Sequence, residues 1–117
     1  LTTEKIKNLV KRFNNHIEKS KDHQAYSDFK EGVNKGLDIA KYTFEENADK
    51  FSLHDLDEGQ AVKVKSLQND FNKLLDGINV QKKPNCSEEC LDGIHFGFER
   101  SKKVFGDFIQ EAFPFEN

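Results

Sequence analysis

The sequence predicts an all-α fold, a single-domain antiparallel four-helix bundle with a short local disulfide, on three observations. Apolar residues recur at helical spacing in four separate segments. No segment alternates in the way a half-buried strand does, and the connections are a few residues long, too short for a parallel crossover between helices of this length. The 117 residues suit one domain, 1–117, with helices over about 3–20, 25–47, 55–79 and 88–113. Apolar content is 35%, low for a globule, but eleven Phe supply large burial per residue and exclude a disordered chain. No apolar run approaches the roughly 20 residues of a membrane span. A net charge of −3, with both signs mixed and Lys far outnumbering Arg, gives no nucleic-acid footprint.

In the first segment Ile6, Leu9, Val10, Phe13 and Ile17 share one helical face. Thr2 or Thr3 can cap it, and Glu4 in the first turn favours the helix dipole. The polar run from Ser20 to Gln24 reads as the connection. The second segment aligns Tyr26, Phe29, Val33, Leu37, Ala40 and Phe44. Gly32 and Gly36 each weaken that helix by about 1 kcal/mol relative to Ala. They flank the stripe on its core side, so close approach of a neighbouring backbone is the expected compensation. After Phe44 the chain turns acidic and polar, and a turn is expected around Phe51 and Ser52.

The third stripe is Leu56, Val64, Leu67, Phe71, Leu74, Leu75 and Ile78, capped by Asp55 or Asp57 and ended near Gly77. Lys82-Lys83-Pro84-Asn85 is the clearest loop, because Pro biases its predecessor away from helix. The fourth helix opens near Ser87 with Glu88 and Glu89 in its first turn and stops at Pro114. Its stripe is Leu91, Ile94, Phe98, Phe105, Ile109 and Ala112, bordered by Phe108. Gly93, Gly97 and Gly106 make it weak alone, so packing must hold it. The expected core centres are Ile6, Phe13, Ile17, Phe29, Val33, Leu37, Leu67, Phe71, Leu74, Ile94, Phe98 and Phe105. No internal repeat, low-complexity tract or interdomain linker is apparent.

The chemistry-bearing residues are few. No nucleophile elbow, P-loop, zinc-protease or dinucleotide motif occurs, and the four His lie in separate segments or loops. His16 reads as a packed helix residue, and His54 beside Asp55 and Asp57 as part of a helix start. No catalytic residue, metal site or cofactor is expected, and the chain does not read as an enzyme. Cys86 and Cys90, in Cys-Ser-Glu-Glu-Cys, lack the spacing of a zinc or redox motif. A disulfide fits if Cys86 precedes an N-cap Ser87 and Cys90 takes the third helical position. The alternative, a pair of free thiols, is disfavoured in a secreted chain. Secretion is the expected localisation, because the chain lacks Met and begins with Leu1, as signal-peptide removal would leave it. A trimmed cytosolic domain is the alternative. Large apolar groups also stand off the stripes. Tyr42 lies about 160° from Tyr26 and Phe96 about 170° from the centre of its stripe. Val62 is similarly placed, and Phe113 and Phe115 flank the helix stop. Tyr42, Phe96, Phe113 and Phe115 are therefore candidate partner-binding residues. The competing reading is that the tail folds back over Phe96.

The full-length pattern, a processed Phe-rich helical chain with Cys86-Ser87-Glu88-Glu89-Cys90 opening the last helix, resembles the salivary protein family of anopheline mosquitoes that includes albicin and anophensin. The resemblance implies a secreted, non-catalytic inhibitor of host defence whose partner is a host plasma protein complex. That partner would be the complement alternative-pathway convertase, or alternatively factor XII and kininogen of contact activation in the kallikrein–kinin system. It carries no site residue position by position. Two other classes compete. A carrier would hold a small apolar ligand in the bundle interior, and an intracellular docking module would have free thiols. A monomer is expected.

Overall fold

A computed structural model describes residues 2–24, 27–51, 60–80 and 86–112. Four α-helices account for most of them: α1 (Thr2–Ser20), α2 (Asp28–Asn47), α3 (Gln60–Asp76) and α4 (Glu88–Ala112). No strand occurs among the described residues. A 3₁₀ turn, Ala48–Phe51, extends α2. The expected caps Asp55 and Asp57, together with His54, Leu56, Tyr26 and the Lys82–Asn85 loop, lie outside the described residues.

Two serines start helices. Ser27 Oγ accepts from the Lys30 amide at 3.1 Å and opens α2. Ser87 Oγ accepts from the Cys90 amide at 3.2 Å, and its carbonyl accepts from Leu91 at 2.9 Å. Each satisfies an amide that the first helical turn leaves without a partner. Cys90 is therefore the third residue of α4, and it is joined to Cys86 by the expected disulfide, with the two Cα atoms 5.3 Å apart.

Contacts between residues fix the helix directions. Asp38 and Lys41 of α2 meet Lys21 and Glu18, so α2 runs back along α1. Gln68 lies beside Gly106 and Asp76 beside Lys102, so α4 runs back along α3. The largest interface, however, joins α2 to α4, which run in the same direction. Glycines explain this. A Cβ on Gly32 or Gly36 would collide with the carbonyl of Cys90 or Ile94. One on Gly93 or Gly97 would collide with that of Phe29 or Val33. The expected compensation for helix-weakening glycine is thus present: each missing side chain admits a neighbouring backbone. Helix axes ordinarily stay about 8–10 Å apart because side chains separate them.

Towards their C-terminal ends α2 and α4 carry large residues where they carried glycine. Phe44, Phe105 and Phe108 are fully buried there with Phe13 of α1 and Phe71 of α3. Phe71 and Phe105 stack in parallel at 4.1 Å, and Phe13 meets Phe44 edge-on at 5.0 Å. Of the expected core centres, Phe13, Ile17, Val33, Leu37, Leu67, Phe71, Ile94, Phe98 and Phe105 are buried. Ile6 and Leu74 are partly buried against that core. Phe29 is the correction, being 37% exposed. It sits in the first turn of α2, where its carbonyl faces Gly93 and its ring rests on Phe96 instead of the interior. Phe51, expected in a turn, is buried because the 3₁₀ turn brings it against Phe44 and Phe105.

Candidate functional site

Two of the four off-stripe aromatics lie among the described residues, and both face outward. Tyr42 is 56% exposed, with Lys41 Nζ 5.0 Å from its ring centre. Phe96 is 46% exposed, with the Arg100 guanidinium 5.2 Å from its ring centre. Helical spacing dictates both placements, because each residue lies across the helix from a buried stripe. Phe113 and Phe115 lie outside the described residues, and the side chain of Val62 is likewise not described. The competing reading, in which the tail folds back over Phe96, likewise lies outside the described residues.

Tyr42 and Phe96 do not form one patch. Tyr42 shares its face of α2 with Lys35, seven residues earlier, and Lys35 Nζ lies 4.0 Å from Cys90 Sγ at the disulfide. Phe96 instead meets Phe29 at 5.6 Å between ring centres. Phe29, Phe96 and Arg100 make a continuous surface of two aromatic rings and a stacked cation. Periodicity assigns Phe29 to the core, so sequence reasoning misses it as a surface residue. Its position in the first turn, beyond the end of α1, is the signal that was there to use.

Ion pairs join neighbouring helices elsewhere on the molecule. Glu18 of α1 accepts from Lys21 at 2.9 Å and Lys41 at 3.1 Å. The hydrogen bond from Lys21 is the largest influence holding the Glu18 carboxyl below its ordinary value of 4.5. Burial pushes the Lys41 ammonium down, but its bond to Glu18 and the nearby Asp38 charge outweigh that and hold it above the usual lysine value. Lys102 behaves alike: burial lowers it, and bonds to Asp76 and Glu99 raise it further. His16 is the packed helix residue expected from the sequence, its ring against Phe108 and its Nε2 3.1 Å from Glu111.

No group of three or more His, Cys, Asp and Glu converges among the described residues, and no helix there is long and apolar enough to cross a membrane. The Phe rings pack against one another between the helices. Among the described residues, two open grooves flank the C-terminal end of α2 and the 3₁₀ turn. The larger, about 530 Å³, lies between α1 and the end of α2 over Ile6, Val10 and Ala48. The smaller, about 300 Å³, lies beside Phe51 and Leu74. Among the described residues the arrangement offers surfaces for contact. No protein-family model, no curated protein and no solved structure matches this chain.

Proposed function

We propose that the protein is a secreted inhibitor of host defence that binds the complement alternative-pathway convertase through its surface, without catalysis. The supporting observation is the exposed aromatic pair Phe29–Phe96 with Arg100 stacked on it, outside the buried Phe core. Aromatic and Arg side chains are the residue types that most often carry an interface, because they bury large rigid areas and keep a polar edge. The choice of partner rests on the resemblance to the anopheline salivary family. Tyr42 is a second anchor on a separate face, and Phe113 and Phe115 remain candidate anchors. The surrounding lysines steer the approach more than they hold the complex.

Alternative-pathway lysis of erythrocytes in serum tests the reading. The parent protein should inhibit lysis, and Phe96→Ala should weaken inhibition roughly 30-fold, the equivalent of about 2 kcal/mol for an anchor. Tyr42→Ala, Phe113→Ala and Phe115→Ala report on the other candidates. A parent protein that leaves lysis untouched refutes the convertase as target and makes contact activation through factor XII and kininogen the leading reading. Inhibition that survives all four substitutions keeps the target and discards this choice of anchors. The carrier alternative has less support, because rings occupy the interior that a ligand would need.

A further inference from the structure

We infer that the chain is two copies of one helical hairpin, α1–α2 and α3–α4, packed about a pseudo-two-fold axis that runs along the glycine seam. The seam is reciprocal in detail. The Gly32 position meets the Cys90 carbonyl and the Gly93 Cα, while the Gly93 position meets the Phe29 carbonyl and the Gly32 Cα. Each residue maps onto its counterpart by adding 61. One turn on, Gly36 meets Ile94 and Gly97, while Gly97 meets Val33 and Gly36, at the same offset. A contact in which residue i touches j′ while j touches i′ is the signature of an isologous interface between two identical units.

The offset extends beyond the seam. Ala40 and Ser101 follow the glycines as small, fully buried residues, and Phe44 and Phe105 follow those as buried rings. Lys41 and Lys102 are each bridged to an acid one turn earlier, Asp38 and Glu99, and to an acid on the preceding helix, Glu18 and Asp76. On the outer helices the offset is 58, three residues fewer: Leu9, Phe13 and Ile17 map onto Leu67, Phe71 and Leu75, all buried, and Glu18 maps onto Asp76. The N-cap serines fall between the two offsets, 60 residues apart. Residues 28–51 and 89–112 share four identities, Gly32/Gly93, Gly36/Gly97, Lys41/Lys102 and Phe44/Phe105. That is too sparse to see in the sequence, where no repeat is apparent. The halves differ where they face outward. Phe29 and Phe96 form the aromatic pair, while their counterparts, Cys90 and Lys35, form the contact at the disulfide.

Melting curves of the full-length protein test the equivalence. Gly36→Ala and Gly97→Ala should lower the melting temperature by the same amount, about 10 °C or more each. Gly32→Ala and Gly93→Ala should likewise match each other. The double exchange Ala40→Ser with Ser101→Ala should melt with the parent. Ser101 Oγ donates to the Gly97 carbonyl at 2.7 Å, and a serine at position 40 has the Gly36 carbonyl in the equivalent place. One silent glycine variant opposite a strongly destabilised counterpart would overturn the inference. If the glycine variants do not fold, the exchange variant decides, and a loss of about 5 °C or more in it is equally fatal.

Discussion

Phe29 and Phe71 both lie on the apolar stripes of their helices, yet only Phe71 is enclosed, stacked on Phe105 and edge-on to Phe13. Phe71→Ala is expected to cost about 3–5 kcal/mol, since the cavity it leaves is ringed by other Phe and cannot collapse. Phe98→Ala should behave alike. Phe29→Ala removes a ring that already faces water on one side and should cost under about 1 kcal/mol. Urea denaturation of the three variants checks the contrast. A Phe29→Ala loss equal to that of Phe71→Ala would mean that the ring lies inside after all. At Cys86 and Cys90 the closed loop is short, so the bond contributes about 2 kcal/mol in the chain-entropy model. Intact mass after alkylation without reductant, under denaturing conditions, should show no added groups. Uptake of two groups would contradict the disulfide.

At the scale of the helices, capping and ion pairing hold the two hairpins in register. Ser87 Oγ caps α4 and also donates to Asp28 Oδ2 at 2.8 Å, joining the starts of α4 and α2. Ser87→Ala removes both bonds and should cost about 1–2 kcal/mol, read from thermal unfolding. Glu18 makes the α1–α2 register sensitive to acid. Its folded carboxyl lies below the ordinary value of 4.5, so its contribution is fully present above pH 4.5 and fades as pH falls through the lowered value. Its side chain is 44% exposed, so screening keeps the contribution below about 1 kcal/mol. Glu18→Gln should therefore melt a few degrees below the parent near pH 7 and close that gap in acid. A gap that widens as the pH falls would reverse the assigned direction.

Over the whole molecule, the arrangement is set by how closely α2 and α4 approach. Consecutive helices in an up-and-down bundle are neighbours, and parallel helices usually stand apart across the core. Here the parallel pair makes the largest interface, with α1 and α3 packed against it. The seam runs from glycine through Ala40 and Ser101 to Phe44 and Phe105, so the pair opens and admits rings from α1 and α3. One core with Phe from all four helices and the 3₁₀ turn should unfold in one step. Helical circular dichroism and the NMR signals of buried Phe rings should be lost at the same urea concentration. Separate midpoints would show that the two hairpins unfold independently.

The sequence by itself determined the helical class, the four apolar faces, the Ser87 cap with its neighbouring disulfide, and the outward stance of Tyr42 and Phe96. Those follow from residue spacing within one segment, where a 3.6-residue period and a local cap leave little choice. It also signalled, through Gly32, Gly36, Gly93 and Gly97, that some backbone must come close. Which backbone it was, and that the two glycine pairs meet each other, the tertiary structure alone decided, because the partner of a missing side chain lies about 60 residues away. The same holds for Phe29 and Phe51. Periodicity assigns a face, but burial depends on what stands opposite that face: Phe96 in one case, Phe44 and Phe105 in the other.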